Sequence, residues 1–196
     1  MTFRLATAAL AMMALPLAGC VQLGETPPAS LMTLTAATPL AAGTGRTVDP
    51  ARAVQVGVPL VPASLNNLRV PVRASDTALA YLKDARWAEP PNRLFRNLVA
   101  EVVEVRTGRP VLDPRETVVV AGVRLGGTLA AFGLDAPTNV VIVTFDATLA
   151  RGEAAIEERR FEARVPVSAP TADAVAPALN QAANQVANDV ADWLGR

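Results

Sequence analysis

The chain has 196 residues, of which 51% are hydrophobic, and its 18 basic and 18 acidic residues leave a formal net charge of zero. It contains no histidine and one cysteine, which excludes Ser-His-Asp triads, Cys-His pairs, histidine-ligated metals and internal disulfides. Because there is no charge excess, we expect no nucleic acid partner and no recruitment of anionic lipid by net charge.

The N-terminus has the layout of a secretory signal. Arg4 precedes an apolar run from Leu5 to Leu17, and the run ends in Leu17-Ala18-Gly19-Cys20. This ending resembles the lipobox of bacterial lipoproteins, which implies diacylglycerol on the Cys20 thiol, cleavage after Gly19 and acylation of the new amine. The apolar run is shorter than the ~20 residues of a membrane-spanning helix. We therefore predict a signal peptide at residues 1–19, with no cofactor beyond the acyl chains on Cys20.

Residues 20–30 contain Gly24 and two prolines and show no periodicity, so they are predicted to form a tether that reaches at most ~35 Å. A single domain is predicted over residues 31–196. Its first elements are a strand at Leu31–Ala37, a loop to Pro50, and an alternating strand at Ala53–Val61 with an exposed edge.

A hairpin and a helix are predicted next. Residues 63–67 indicate a turn or a short helical piece, and residues 68–73 and 78–85 alternate as two strands of a hairpin. Residues 90–107 place apolar side chains on one stripe, with prolines at the start and Gly108 at the end. This is the clearest helix in the sequence.

The remaining pattern predicts three strands and a final helix. Strands at residues 118–132, 139–149 and 155–167 form an antiparallel meander, and glycines in the first strand indicate a bend or bulge. The helix covers residues 173–194, and its Asn and Gln side chains at 180, 181, 184, 185 and 188 are predicted to face water. The order favours an α/β fold, with α+β as the alternative: a mixed, largely antiparallel sheet covered by two amphipathic helices.

The strand-to-helix corner Arg86-Trp87-Ala88-Glu89-Pro90 is the most distinctive internal motif. It resembles the same corner in the ABC-type transport auxiliary lipoproteins. The resemblance covers residues 31–195, because the order of the elements and the final Asp192-Trp193-Leu194 are also similar. One departure concerns residues 63–67, which replace a Tyr-Leu-Asp-Arg-like turn of many members and leave a partner contact there in doubt.

The resemblance implies a non-enzymatic protein with no metal site. Members accompany an ABC permease, an ATPase and an MCE-domain protein that move lipids between the two membranes of Gram-negative bacteria. The chain is then a periplasmic lipoprotein held at a membrane by its lipid anchor. Val21 replaces the aspartate associated with inner-membrane retention, which favours the periplasmic face of the outer membrane. Whether copies of the chain form a homo-oligomer is left open.

Arg86, Trp87 and Glu89 are the candidate partner-binding residues, because tryptophan is enriched at binding interfaces. The alternative interpretation, which we favour, places Trp87 in the core and makes Arg86 and Glu89 a local ion pair or helix-start charges.

Two other functions are weighed against the accessory role. A lipid-binding shuttle or chaperone would hold an acyl chain between helix and sheet. An envelope hydrolase is disfavoured, because no serine lies in a Gly-x-Ser-x-Gly elbow. Asp113, Asp135 and Asp146 carry no acid–base pairing signal, and turn or solvent roles are expected for them.

Overall fold

The computed structural model describes residues 30–43, 48–113, 120–152 and 156–195. The predicted signal peptide, Cys20 and the tether up to residue 29 lie outside the described residues. The strands are β1 (Val54–Val56), β2 (Arg69–Arg73), β3 (Leu79–Arg86), β4 (Val111–Leu112), β5 (Val123–Asp135), β6 (Val140–Arg151) and β7 (Glu157–Pro166), the helices are α1 (Pro91–Thr107) and α2 (Ala172–Leu194), and a short 3-10 helix covers Ala63–Leu65.

The long strand β5 lies at the centre of a 7-stranded sheet. One edge pairs along its length with antiparallel β6, which pairs in turn with β7, so the predicted meander is confirmed. The other edge pairs in parallel with β1 near its start and with β2 near its end, and Leu60 bridges Thr128 between them. The predicted hairpin of β2 and β3 forms at one margin of the sheet, and β4 lies at the other. The sheet is mixed, as predicted.

Both helices cover one face of this sheet. The apolar stripe of α1 is buried, and Gly108 ends the helix in the left-handed conformation at φ 65°, which glycine adopts without a steric penalty. Arg106 in the last turn of α1 contacts Asp192 in the last turn of α2, so the two helices run parallel and end together. An aromatic cluster joins α1 to the sheet; its rings are Trp87, Phe95, Phe132 and Phe145.

The predicted first strand is wrong. Residues 31–37 are extended but form one isolated bridge, from Met32 to Trp87. The backbone further along bonds to side chains of α2, because Asn180 accepts from the Thr35 N–H and Asn184 accepts from the Ala37 N–H. The prediction that all the Asn and Gln side chains of α2 face water is therefore also wrong, because Asn184 is only 6% exposed.

Two further strands differ from their predicted limits. The strand predicted at residues 53–61 ends at Val56, although the Gly57 N–H still donates to the Leu125 carbonyl. Pro59 offers no N–H to continue the ladder, and the next bond to β5 comes from the Leu60 N–H. The strand predicted from residue 118 begins at Val123, and residues 114–119 lie outside the described part of the chain. The predicted bulge is present, with a register shift between Leu129 and Ala131.

Candidate functional site

The strand-to-helix corner packs its tryptophan inward. Trp87 has no exposed surface, and its ring lies 5.3 Å from that of Phe132. The backbone N–H of Trp87 donates to the Leu68 carbonyl, and the backbone N–H of Ala88 donates to the Met32 carbonyl. The corner thus ties the N-terminal segment, β2 and the start of α1 together, and the burial of Trp87 supports the interpretation of this residue as part of the core.

The charged residues of the corner remain on the surface. Arg86 and Glu89 are both exposed, and no ion pair joins them within the described residues. The local pair expected from the sequence is therefore not formed in the structure. The Arg86 carbonyl accepts from the Met32 N–H at 2.7 Å, so the two charges flank the point where the N-terminal segment enters the domain.

The N-terminal segment is held against α2 by two asparagines spaced four residues apart. The Asn184 amide accepts from the Ala37 N–H at 2.8 Å and donates to the Thr35 carbonyl at 2.9 Å. Asn180 accepts from the Thr35 N–H at 2.9 Å. An i, i+4 pair of asparagines lies on one face of a helix, and that spacing is the signal from which this contact could have been predicted.

The turn that departs from the resemblance has its own fixing contacts. The Asn67 amide donates to the Ser64 carbonyl at 3.0 Å and to the Tyr81 hydroxyl at 3.3 Å. The Arg69 guanidinium lies 4.5 Å from the centre of the Tyr81 ring. Tyr81 of β3 therefore fixes residues 64–67 from the other strand of the hairpin. The alternating pattern of the two strands does not predict this contact.

The three aspartates considered as acid–base candidates each face an arginine. The hydrogen bond from Thr138, and then those of Arg73, hold the pKa of Asp135 below its usual value, although burial opposes this. Arg160 lowers the pKa of Asp146 in the same way. Lowered pKa values keep these two carboxyl groups ionised at neutral pH, which is unsuited to a general acid. The pairs are Arg96–Asp113 at 3.3 Å, Arg73–Asp135 at 2.7 Å and Arg160–Asp146 at 2.6 Å.

The helix-free face of the sheet carries charges at β7 and a shallow apolar depression near β2. The charged side chains of residues 157–160, 162 and 164 are exposed. The depression has a volume of about 170 Å³, and Pro71, Leu79, Gly133 and Ile142 line it. The helix-to-sheet interface is instead filled by core side chains, so the acyl groove considered there is not formed in the described residues.

The described part of the chain has neither a membrane-spanning helix nor a metal-binding cluster. Neither helix there is both long and apolar enough to cross a membrane. The same residues hold no cluster of three or more acidic or cysteine side chains placed to bind a metal ion. Cys20, the predicted site of lipid attachment, lies outside the described residues and stays a prediction.

Comparison with known proteins gives a family and a fold. The family model described as the ABC-type transport auxiliary lipoprotein component matches residues 33–191. The crystal structure of a Xanthomonas campestris DUF330 protein is 21% identical with a TM-score of 0.67, covering 84% of this chain and 93% of that one. A crystal structure of an uncharacterized protein is 16% identical with a TM-score of 0.65, covering 84% and 99%. At these identities the two structures show a shared fold, and no match was found among curated proteins.

Proposed function

The chain belongs to the ABC-type transport auxiliary lipoprotein family, and from that premise we propose that it is a non-catalytic accessory subunit of an MCE-type ABC transporter. The transporter would move lipids between the inner and outer membranes. The observation that carries the proposal is the family match over residues 33–191, joined to the Leu-Ala-Gly-Cys motif that ends at Cys20.

The lipid anchor and the tether define how such a subunit works. Acyl chains on Cys20 contribute ~0.8 kcal/mol per buried CH₂, and two or more chains give stable membrane attachment. The tether then keeps the domain within ~35 Å of the bilayer. Confinement raises the effective concentration of the domain at the transporter, so weak docking suffices. Val21 supports placement at the periplasmic face of the outer membrane.

The exposed corner is the proposed docking point for the MCE-domain protein. Arg86 and Glu89 are exposed charges without a mutual ion pair in the described residues, and the buried Trp87 beneath them makes their backbone rigid. A rigid backbone reduces the ordering cost of binding. Because Met32 bonds to the corner, a partner docked here would lie beside the root of the tether.

Crosslinking in intact cells, followed by detergent extraction and purification of the full lipoprotein, tests this role. An MCE-domain protein is the expected co-purifying species. The double variant Arg86→Ala/Glu89→Ala should reduce its yield, whereas Glu158→Ala/Arg159→Ala, which removes two exposed charges from β7, should not. Repeated recovery of the wild-type lipoprotein without an MCE-domain protein would contradict the accessory role, and equal yields from both variants would contradict docking at the corner.

A lipid shuttle is the second candidate function, and the depression on the helix-free face is the feature that bears on it. Its volume of about 170 Å³ is below the ~300 Å³ at which small-molecule sites begin. Native mass spectrometry with added diacylglycerol, which has no phosphate headgroup, should therefore show the mass of the acylated chain alone. Stoichiometric binding of this uncharged lipid would favour the shuttle.

A further inference from the structure

Arginines from separate parts of the chain meet in a cleft at the end of the molecule where both helices terminate. The cleft has a volume of about 710 Å³ and is lined by Arg52, Arg106, Arg109 and Asp192, together with backbone of the helix ends. Arg52 precedes β1, and the other two arginines lie at and just beyond the end of α1. A chain of zero net charge therefore has a concentrated basic surface at this point.

Some of the positive charge at this end is already compensated. Arg106 is paired with Asp192 inside the cleft. Arg151, which lies nearby, donates to the Leu194 carbonyl at 3.1 Å and lies 3.6 Å from a Glu157 carboxylate oxygen. The bond from Arg151 to the Leu194 carbonyl also places a positive charge at the C-terminal end of α2, where the helix carries partial negative charge.

Arg52 and Arg109 have no acidic partner within the described part of the chain. The Nε–H of Arg109 donates to the Arg52 carbonyl at 2.9 Å and so holds the Arg109 guanidinium against the backbone of Arg52. Burial, and then the charges of Arg151 and Arg52, lower the pKa of Arg109. Repulsion of this kind is relieved by an anion bound between the positive groups.

We propose that this cleft binds a phosphate-type anion, with the terminal N–H groups of Arg109 and the guanidinium of Arg52 as the donors. Arginine presents its donors in a planar fork that fits phosphate oxygens in pairs, and such charge-assisted bonds are stronger than neutral ones. A concave surface of one sign also concentrates the counter-ion. The Arg106–Asp192 pair also lines the cleft.

The position of the cleft separates it from the docking corner. The corner leads into the start of α1, and the cleft lies at the end of this 17-residue helix, about 25 Å away at 1.5 Å per residue. The anion site therefore does not depend on the proposed MCE-domain partner. A phospholipid headgroup and a free phosphate share the required chemistry.

Calorimetric titration of the full acylated protein in non-ionic detergent tests the site. The probes are inorganic phosphate, glycerol phosphate and short-chain phosphatidylglycerol. Arg52→Gln/Arg109→Gln should weaken binding by at least about tenfold, and Arg109→Lys should weaken it less. The matched control Arg93→Gln/Arg124→Gln removes two exposed arginines elsewhere and should leave binding unchanged. Thermal unfolding of each variant verifies that it is folded.

The probes also distinguish the two sources of the anion. Tighter binding of phosphatidylglycerol than of glycerol phosphate supports a lipid headgroup, and equal binding supports a soluble phosphate. Side-chain Nε–Hε signals of Arg52 and Arg109 should shift in NMR spectra when the effective probe is added. No binding of any probe, or equal weakening by the cleft variant and the control variant, would overturn the proposal.

Discussion

The two faces of the sheet differ in what they contribute. The face beneath the helices holds the aromatic cluster, and Trp87 and Phe95 there have no exposed surface. The opposite face carries the cross-strand pair Arg160–Asp146, in which 67% and 38% of the two side chains are exposed. Burial of apolar area dominates stability, whereas exposed ion pairs contribute little. Substitutions on the covered face should therefore lower the free energy of unfolding strongly, and those on the open face should change it little.

The largest expected effect is loss of the buried tryptophan. Trp87→Ala removes the ring from a fully buried site against Phe132, and truncation of a buried aromatic costs about 3–5 kcal/mol in the free energy of unfolding. Urea denaturation followed by circular dichroism measures this. The neighbouring exposed Arg86→Ala should change stability by less than about 0.5 kcal/mol. A mild effect of Trp87→Ala would show that the corner is not part of the core.

The close approach of β5 to β6 at Gly127 provides the next test. At Gly127, with φ 138°, an added Cβ would lie 2.0 Å from the Asp146 carbonyl oxygen. Gly127→Ala should therefore lower the free energy of unfolding by about 3 kcal/mol. The adjacent Gly126 would meet only the Thr148 side chain, at 3.4 Å, so Gly126→Ala should be tolerated. Similar denaturation midpoints for the two variants would contradict the close approach at Gly127.

A smaller effect is expected where the N-terminal segment joins the helical layer. Asn184→Ala leaves the Ala37 N–H and the Thr35 carbonyl without their partner, which should cost about 1–2 kcal/mol. Hydrogen exchange by mass spectrometry should show faster exchange in residues 32–40. Gln185→Ala, at an exposed position one residue on, is the matched control. If both variants leave exchange unchanged, the segment is held by other contacts.

The smallest effect belongs to the open face and depends on pH. Arg160 lowers the pKa of Asp146, so the folded state binds this proton less readily than the unfolded state, whose pKa is about 4. The stabilisation is present above that pH and is lost as the pH falls through the lower folded pKa. Asp146→Asn should therefore lower stability at pH 7 by less than about 1 kcal/mol.

Urea midpoints at pH 7 and at pH 3 measure this difference. The variant should lose less stability than wild type between the two values, and 1 M salt should reduce the contrast because exposed pairs are screened. Identical acid sensitivity of the two proteins would show that the Asp146–Arg160 pair makes no contribution.

Local patterns were sufficient to predict most elements of the fold. The spacing of Leu94, Phe95 and Leu98 predicted α1, and alternation in residues 139–149 predicted β6, because both depend on neighbours in the sequence. The parallel pairings of β5 were not predicted. β1 and β2 contact β5 from more than sixty residues away in the chain, and short strands carry no signal that identifies a distant partner.

The candidate sites also differ in whether neighbouring residues in the sequence reveal them. The Leu-Ala-Gly-Cys motif and the corner around Trp87 are contiguous, so the chemistry of anchoring and the likeness to the family could be recognised from the residues alone. The arginine cleft could not be recognised from the sequence, because a hairpin and a helix lie between Arg52 and Arg109. The net charge of zero also gives no sign that these arginines lie close together. Only the packing of α1 against the sheet, driven by burial of its apolar stripe, brings the Arg109 side chain to the backbone of Arg52.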